Sequence, residues 1–477
     1  LKPIAFLCYD AFFLKSASYA AMPRKKILQP SLSFRKSDSV IGIVGMGYVG
    51  LTLSVALADR GFTIWGIENH LETLSKLQCG EPHFHEKGFA SRLRQALAKG
   101  SLRFVESLSE IGNSLSVYII TVGTPLSASG ASRIDMIKKI AGETCHHMSD
   151  DGLVILRSTV RLGTTREVVL PLLRRSGKSF MLAYCPERTI EGNAIEELSH
   201  LPQIIGAIDE ASLWRASSIF QHMTATTIHV SSLEAAEIIK LLDNSFRDVS
   251  FAIGNEIALL CEAAGLDGQE VVNAANKGYD RTNIPFPGFV GGPCLHKDPH
   301  ILIESMQRYD YAPHLISYGR QINKSLPNYV CQKIRSRIEL GSGTGHKITV
   351  MGLAFKGHPE TSDLRASPSL DLVAILNKIY PDAHLCGHDF VINDQAIRKT
   401  GLEAVSVEEG FEEASLVIIA TNNKRYQWLD IDLLTKRMVT PRMIFDVWSV
   451  LPVSVRHDAQ NYTVLSIGNS AAKEKLA

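Results

Sequence analysis

The chain has 477 residues, 45% of them hydrophobic and 21% charged, the composition of an ordinary globular protein of two to four domains with ample core. A formal charge of +1 gives no bulk attraction for nucleic acid or an anionic membrane, and no uncharged apolar run reaches the roughly 18 residues of a membrane span. The 8 cysteines (Cys8, Cys79, Cys145, Cys185, Cys261, Cys294, Cys331 and Cys386) stand singly without a CxxC pair, which points away from disulfide frameworks and metal clusters and towards a reducing cytoplasm.

In chain order, residues 1–38 read as a disordered or vestigial extension, with translation beginning at Met22. LKPIAFLCYDAFF lacks the basic start of a signal peptide. From Val40 strands and helices alternate. VIGIVGMGYVG is an apolar strand entering a glycine turn, LTLSVALADRGF a helix closed by Gly61, and FTIWGIE a second strand. SVYIITVGTP, GLVILRSTV and FMLAYCPE are short buried strands of the parallel-sheet type. The spacing predicts a doubly wound α/β domain over 39–212.

Residues 213–342 read as a mostly helical central domain suited to a homodimer or higher homo-oligomer. One helix is expected over 233–277 and another from Pro299 to Ile338. Alternation restarts at ITVMGLAFKG, then a helix over 367–379, AHLCGHD, ASLVIIAT and RMIFDVW, giving a second α/β domain over 343–477. Its MGLAF echoes VGMGYVG. The fold class expected is two Rossmann-like doubly wound α/β domains joined by a mostly helical centre.

Gly45, Gly47 and Gly50 form GxGxxG between a strand and a helix, with Tyr48 and Val49 inside the motif. Glycines there permit the tight turn, close approach of a pyrophosphate and close helix packing, while the helix start favours anions. Glu68 ends the second strand, about twenty residues on, as a dinucleotide site requires. Its carboxylate suits free ribose hydroxyls and repels a 2′-phosphate, so NAD is expected rather than NADP.

VGTP at 122–125, CPERTIEGNAIEEL at 185–198, KLLDN at 240–244, GGPCLHKD at 291–298 and GLAFKGHPETSDLRASPS at 352–369 follow in order. With the glycine turn, this set resembles the UDP-glucose/GDP-mannose dehydrogenase family, the nucleotide-sugar 6-dehydrogenases, over about residues 40 to 465. The PER of 186–188 is more similar to the UDP-N-acetylhexosamine branch, whose substrates are UDP-N-acetylmannosamine or UDP-N-acetylglucosamine.

The resemblance implies a four-electron oxidation of a sugar C6 alcohol to a carboxylate, with two NAD reduced. An aldehyde gives up hydride only after a nucleophile adds to it. A cysteine does so, passing through thiohemiacetal and thioester. Cys294 takes that part. Gly291 and Gly292 are expected to let backbone lie close to substrate. Pro293 suits a helical first turn, so a helix start and Lys297 are expected to lower the thiol pKa. Lys240 and Asn244 share one helix face and match the residues that hold the reacting oxygen.

By the same resemblance, Asp298 organises a water with Thr124, and Glu187 is the general base for thioester hydrolysis. Ser158, Thr159, Glu86 and Lys297 join the cofactor side. Phe355, Lys356 and Arg365 cradle the uridine nucleotide, arginine suiting pyrophosphate by its fork. Arg188, Arg281, Asn283, Phe286 and Gly288 line the sugar pocket. No metal is expected. The chain departs from the pattern at STVRLGTT, at LSASGAS after the TP, and at DVWSV, which lacks an asparagine. Two other readings stay open: a two-electron hydroxyacid-type dehydrogenase, against which Cys294 and the 343–470 domain speak, and a non-catalytic nucleotide-binding regulator.

Overall fold

The computed structural model describes residues 34–111, 115–127, 130–337, 345–457 and 461–469. The first sheet is made from strands apolar on both faces, which are stable only when helices cover both sides. Its strands are β1 (Val40–Val44), β2 (Thr63–Ile67), β3 (Leu102–Val105), β4 (Val117–Ile120), β5 (Gly152–Leu156), β6 (Phe180–Tyr184), β7 (Gln203–Ala207) and β8 (Thr227–His229). They lie in the order β3-β2-β1-β4-β5-β6-β7-β8. All are parallel except β7 against β6, where Ala207 pairs with Ala183. Ile41 and Ile43 enter one core layer with Leu51 and Leu53. Val44 and Ile120 enter the opposite layer.

The second sheet comprises β9 (Lys347–Met351), β10 (His384–His388), β11 (Glu403–Ala404), β12 (Ala414–Ile419), β13 (Met443–Asp446) and β14 (Thr463–Ser466). Their order is β11-β10-β9-β12-β13-β14, parallel throughout. Counted from its own first strand, this is the 3-2-1-4-5-6 order of the first six strands, the dinucleotide-binding arrangement. The echo between VGMGYVG and MGLAF therefore reaches topology: each follows the first strand of its sheet, where strand order reverses. It also reaches side chains. Glu68, just past β2, accepts a hydrogen bond from Met46 N at 3.1 Å. Asp389, just past β10, accepts from Leu353 N at 2.8 Å and Ala354 N at 3.2 Å.

Helices join the sheets. The helix expected over 233–277 is two, Leu233–Ala263 and Gly268–Asn276. Gly265 turns the chain at φ +75°, and Asp267 caps the second helix by accepting from Gln269 N and Glu270 N. The helix expected from Pro299 to Ile338 also divides, into Asp298–Gln307 and His314–Arg335, with Asp310 at φ 53° between them. Lys240, Asn244 and Asp248 are all buried on one face of the long helix.

Two expected boundaries differ in the structure. Residues 1–33 lie outside the described residues, but 34–38 are not a disordered extension. Phe34 packs on Phe62 and His222, and Asp38, fully buried, pairs with Arg215 at 2.6 Å. Burial of that pair anchors the chain ahead of β1. The helix Glu210–Phe220 and β8, expected in the centre, pack with the first sheet. Their side chains Ala216, Ile219 and Phe220 belong to its core.

Candidate active site

The glycine turn is shaped for a dinucleotide. Gly45 lies at φ +94°, and a Cβ on Gly50 would come within 2.0 Å of Gly45 O, so helix and strand meet only through glycine. Beside Gly47 a Cβ would meet nothing within 4 Å; that open space faces the start of the helix Tyr48–Ala58, which no side chain caps. Glu68 is held by Met46 N and by His70 N at 2.9 Å. These residues fit the pyrophosphate and ribose of NAD.

Tyr48 donates its hydroxyl to the buried Glu86. Gly192 N donates to both, at 2.9 Å and 3.0 Å. Residues expected on the cofactor side thus fasten the turn that carries Glu191.

The cysteine turn is closed by the last domain. Gly292 sits at φ +89°, and a Cβ there would lie 2.3 Å from the Phe355 ring. One on Gly291 would lie 2.5 Å from Ala366 O, and Gly292 N donates to that same carbonyl at 2.9 Å. These glycines admit the 355–368 loop, which brings Phe355 against the turn and sets Lys356 over its ring at 5.5 Å.

Around the turn, Asn244 donates to Asp298 Oδ2 at 2.6 Å. Lys297 Nζ lies 3.4 Å from Thr124 Oγ1 and 3.8 Å from Asp298. Thr124 in turn donates to Thr159 O at 2.5 Å. Asp298 thus pairs directly with Asn244, and Lys297 reaches the VGTP loop at Thr124. Thr121, three residues before Thr124, bonds Gly45 O at 2.8 Å. A short chain of contacts thus runs from the glycine turn to the cysteine turn, across the crevice where strand order reverses.

The electrostatics differ from expectation at the thiol. Cys294 is open to solvent, yet stands where three domains meet, and the surrounding protein pushes its pKa up. Lys240 and Lys297 pull it down, while Asp298 and Glu191 push it further up. The expected lowering fails because the protein atoms around the sulfur outweigh the two lysines, and the helix Gly292–Leu295 is a single turn with little dipole.

Glu187 behaves in the opposite way. Burial alone would raise it, but the Arg157 guanidinium at 2.6 Å outweighs that. Arg188 N and Thr189 N add hydrogen bonds at 2.8 Å and 2.9 Å. A carboxylate so held has low proton affinity and is a poor base in this state.

Glu191, in the same PERTIEG stretch, also stands out in the structure and was not singled out from sequence. Burial and then Asp363 raise its pKa to about 7, against a Thr361 hydrogen bond at 2.8 Å and the charges of Arg365 and Lys356. Burial lowers Lys356 to about 8, and its ammonium donates to Glu191 O. The signal in the sequence was a second glutamate four residues after Glu187 (then a glycine).

Other expected residues divide. Ser158 is buried with its hydroxyl 3.4 Å from Ile120 O. Arg188 bridges Asp243 at 3.2 Å and Pro202 O at 2.9 Å, tying the first domain to the long helix. Arg365 is exposed and pairs with Asp363. Gly288 does not line an open pocket: its N–H donates to Asn255 at 2.8 Å, and a Cβ would strike Trp448 at 2.2 Å. Arg281, Asn283 and Phe286 lie on an exposed loop, with Arg281 over the Tyr279 ring at 4.8 Å. His384, Cys386 and Glu403 also cluster within 4.8 Å on β10 and β11, where His384 and Glu403 satisfy each other at 2.5 Å.

Comparison with known proteins places this geometry in a family. The NAD binding domain of the UDP-glucose/GDP-mannose dehydrogenase family matches residues 39–224. The family's central domain matches 234–325 and its UDP binding domain 349–453. A UDP-N-acetyl-D-mannosamine dehydrogenase of Pyrococcus horikoshii is 30% identical over 405 residues, covering 83% of this chain and 93% of the relative. A solved UDP-N-acetylmannosamine dehydrogenase structure from Pyrococcus horikoshii superposes with TM-score 0.81 at 27% identity, covering 91% of this chain and 100% of that one. One from Staphylococcus aureus gives 0.77 at 28%, covering 90% and 98%. The chain belongs to the UDP-glucose/GDP-mannose dehydrogenase family and is an NAD-dependent nucleotide-sugar oxidoreductase.

Proposed function

We propose that the chain oxidises the C6 alcohol of UDP-N-acetylmannosamine, or of UDP-N-acetylglucosamine, to the uronic acid in two steps. The observation that carries this reading is that all three domains meet at the turn of Cys294: Lys297 reaches Thr124 of the first domain, Asp298 pairs with Asn244 of the long helix, and Gly292 lies against Phe355 of the last domain. The curated relative and solved structures compared above bear the N-acetylmannosamine name, which favours that epimer.

NAD, bound at the glycine turn, supplies the hydride acceptor for each oxidation. Lys240 and Asn244 hold the C6 oxygen as its proton leaves. Cys294 Sγ then bonds the aldehyde carbon, and the thiol proton passes to the carbonyl oxygen, with Lys240 placed to relay it. Loss of the second hydride and of the hydroxyl proton leaves a thioester. Water adds to it, Glu191 takes the water's proton, and Sγ departs as the carbon–sulfur bond breaks and is reprotonated. Glu187, held by Arg157, shapes the turn in which Glu191 sits.

A two-electron hydroxyacid-type reading is disfavoured by the match of residues 349–453 to a UDP binding domain. We also propose a homodimer. Leu242, Phe246, Ile253 and Leu260 are exposed along the long helix, Phe246 at 74%, an apolar surface that a second copy would cover. The 7 cysteines among the described residues are unpaired, in keeping with a reducing compartment.

The deciding experiment is a panel of UDP- and GDP-sugars with NADH counted per sugar consumed. Two NADH and a uronic acid from an N-acetylhexosamine substrate are expected. One NADH per sugar would overturn the four-electron reading. Cys294→Ser should form no carboxylate.

A further inference from the structure

If Cys294 is the nucleophile, its sulfur must be held against Lys240 and Asn244, which belong to another element. The turn that carries it is a single helical turn and cannot fix that distance alone. Arg320, on the helix His314–Arg335 and only 4% exposed, reaches both ends of it. Its Nη1 donates to Leu295 O at 2.9 Å and to Asp248 Oδ1 at 2.6 Å. Its Nη2 donates to Val290 O at 3.1 Å. The two carbonyls bracket Cys294. Asp248 lies on the long-helix face that also carries Lys240 and Asn244, one turn beyond Asn244.

The fork is itself held. Asn323 donates to Asp248 O at 2.8 Å and Oδ1 at 2.9 Å, and accepts from Asn255 at 2.9 Å. Asn255 clasps Gly288 through its N–H at 2.8 Å and its carbonyl at 3.2 Å. Asp248, Asn255, Arg320 and Asn323 are all buried. Together they grip the 288–295 segment at Gly288, Val290 and Leu295. A buried ionic network of this kind is seldom a net source of stability over an apolar core, so its value here lies in placement. A lysine could not replace it, because one ammonium on a flexible stem cannot span two carbonyls and a carboxylate in a fixed plane.

We propose that Arg320 is a positioning residue. Anchored by Asp248, its guanidinium sets the distance between the Cys294 sulfur and the Lys240–Asn244 pair. It thereby controls the steps in which the sulfur–carbon bond forms and breaks, without touching substrate or cofactor. This rests on the nucleophile reading of Cys294.

The test compares wild type, Arg320→Lys, Arg320→Met, Asp248→Asn and Cys294→Ser. Both Arg320 variants should lose about a hundredfold in kcat, the scale of a misplacement of roughly 1 Å. KM for NAD should stay within about twofold of wild type. Asp248→Asn, which keeps the acceptor's shape, should give a milder form of the same split. Guanidinium at a non-denaturing concentration should restore part of the activity of Arg320→Met. Alkylation of Cys294 by iodoacetamide, followed by peptide mass spectrometry across pH, supplies a readout independent of turnover. A turn no longer pinned at Val290 and Leu295 holds the sulfur in different surroundings, so the pH profile of alkylation should shift from that of wild type.

Unchanged kcat in both Arg320 variants overturns the proposal, as does a kcat loss matched by an equal loss of NAD affinity. If Cys294→Ser keeps turning over, the nucleophile reading falls and alkylation alone decides. A profile equal to wild type in both Arg320 variants then overturns the positioning role, and a shifted one supports it.

Discussion

The side-chain amide of Asn244 donates a 2.6 Å hydrogen bond to Asp298, joining two helices across 54 residues of sequence. Both groups are buried, and among the described residues Asp298 Oδ1 has no hydrogen-bond partner. Asn244→Ala would strip the carboxylate of the one hydrogen-bond donor it has among the described residues. Loss of such a donor to a buried group costs about 1–3 kcal/mol of stability. The same change should lower kcat about a hundredfold or more while NAD affinity holds. Denaturant titration with steady-state kinetics checks both. An effect on KM for NAD alone would count against the assigned role.

Glu191, with its pKa raised to about 7, predicts a pH limb. As a base it must be ionised, so kcat should rise with pH through about 7, and Glu191→Gln should flatten that limb while lowering the plateau. Stability runs the other way. The folded state holds this proton more tightly than the unfolded chain, whose glutamate titrates near 4.5. The linked stability is therefore full below about 4.5 and is lost as pH rises through 7. Wild type minus Glu191→Gln, compared by denaturation at several pH values, should show that slope.

Gly292 answers to the third domain. An alanine there would need φ +89° and would press on Phe355, so Gly292→Ala should cost roughly 2 kcal/mol or more. It should also weaken UDP binding, because the 355–368 loop would be pushed from the turn. Calorimetry with UDP and a thermal melt test this. Wild-type affinity for UDP in the variant would break the link between the glycine and that loop.

Phe246, exposed at 74% on the long helix, should be covered in the dimer. Phe246→Glu should convert a dimeric species to monomer in sedimentation or light scattering. A wild-type monomer would remove the dimer proposal.

The sequence carried much of the fold because its signals are local. Apolar strands such as Val40–Val44, and glycines where only glycine fits, depend on neighbours within a few residues. The parallel sheets, the glycine turn with Glu68, and the joint face of Lys240 and Asn244 could be read that way. Helix ends at Gly265 and Asp310 were missed because apolar periodicity runs through them, and only backbone sign at those residues breaks it.

What the sequence determined by itself is the inventory: a thiol, a lysine, an asparagine and acids in motifs of fixed order, on elements whose type follows from local pattern. What only the tertiary structure decided is how these groups bear on each other. Burial raises Glu191, the protein around the sulfur raises Cys294, Arg157 holds Glu187 down, and Arg320 ties the cysteine turn to Asp248. Desolvation and charge pairing depend on which distant segments come within a few ångströms, and no spacing along a chain encodes that directly.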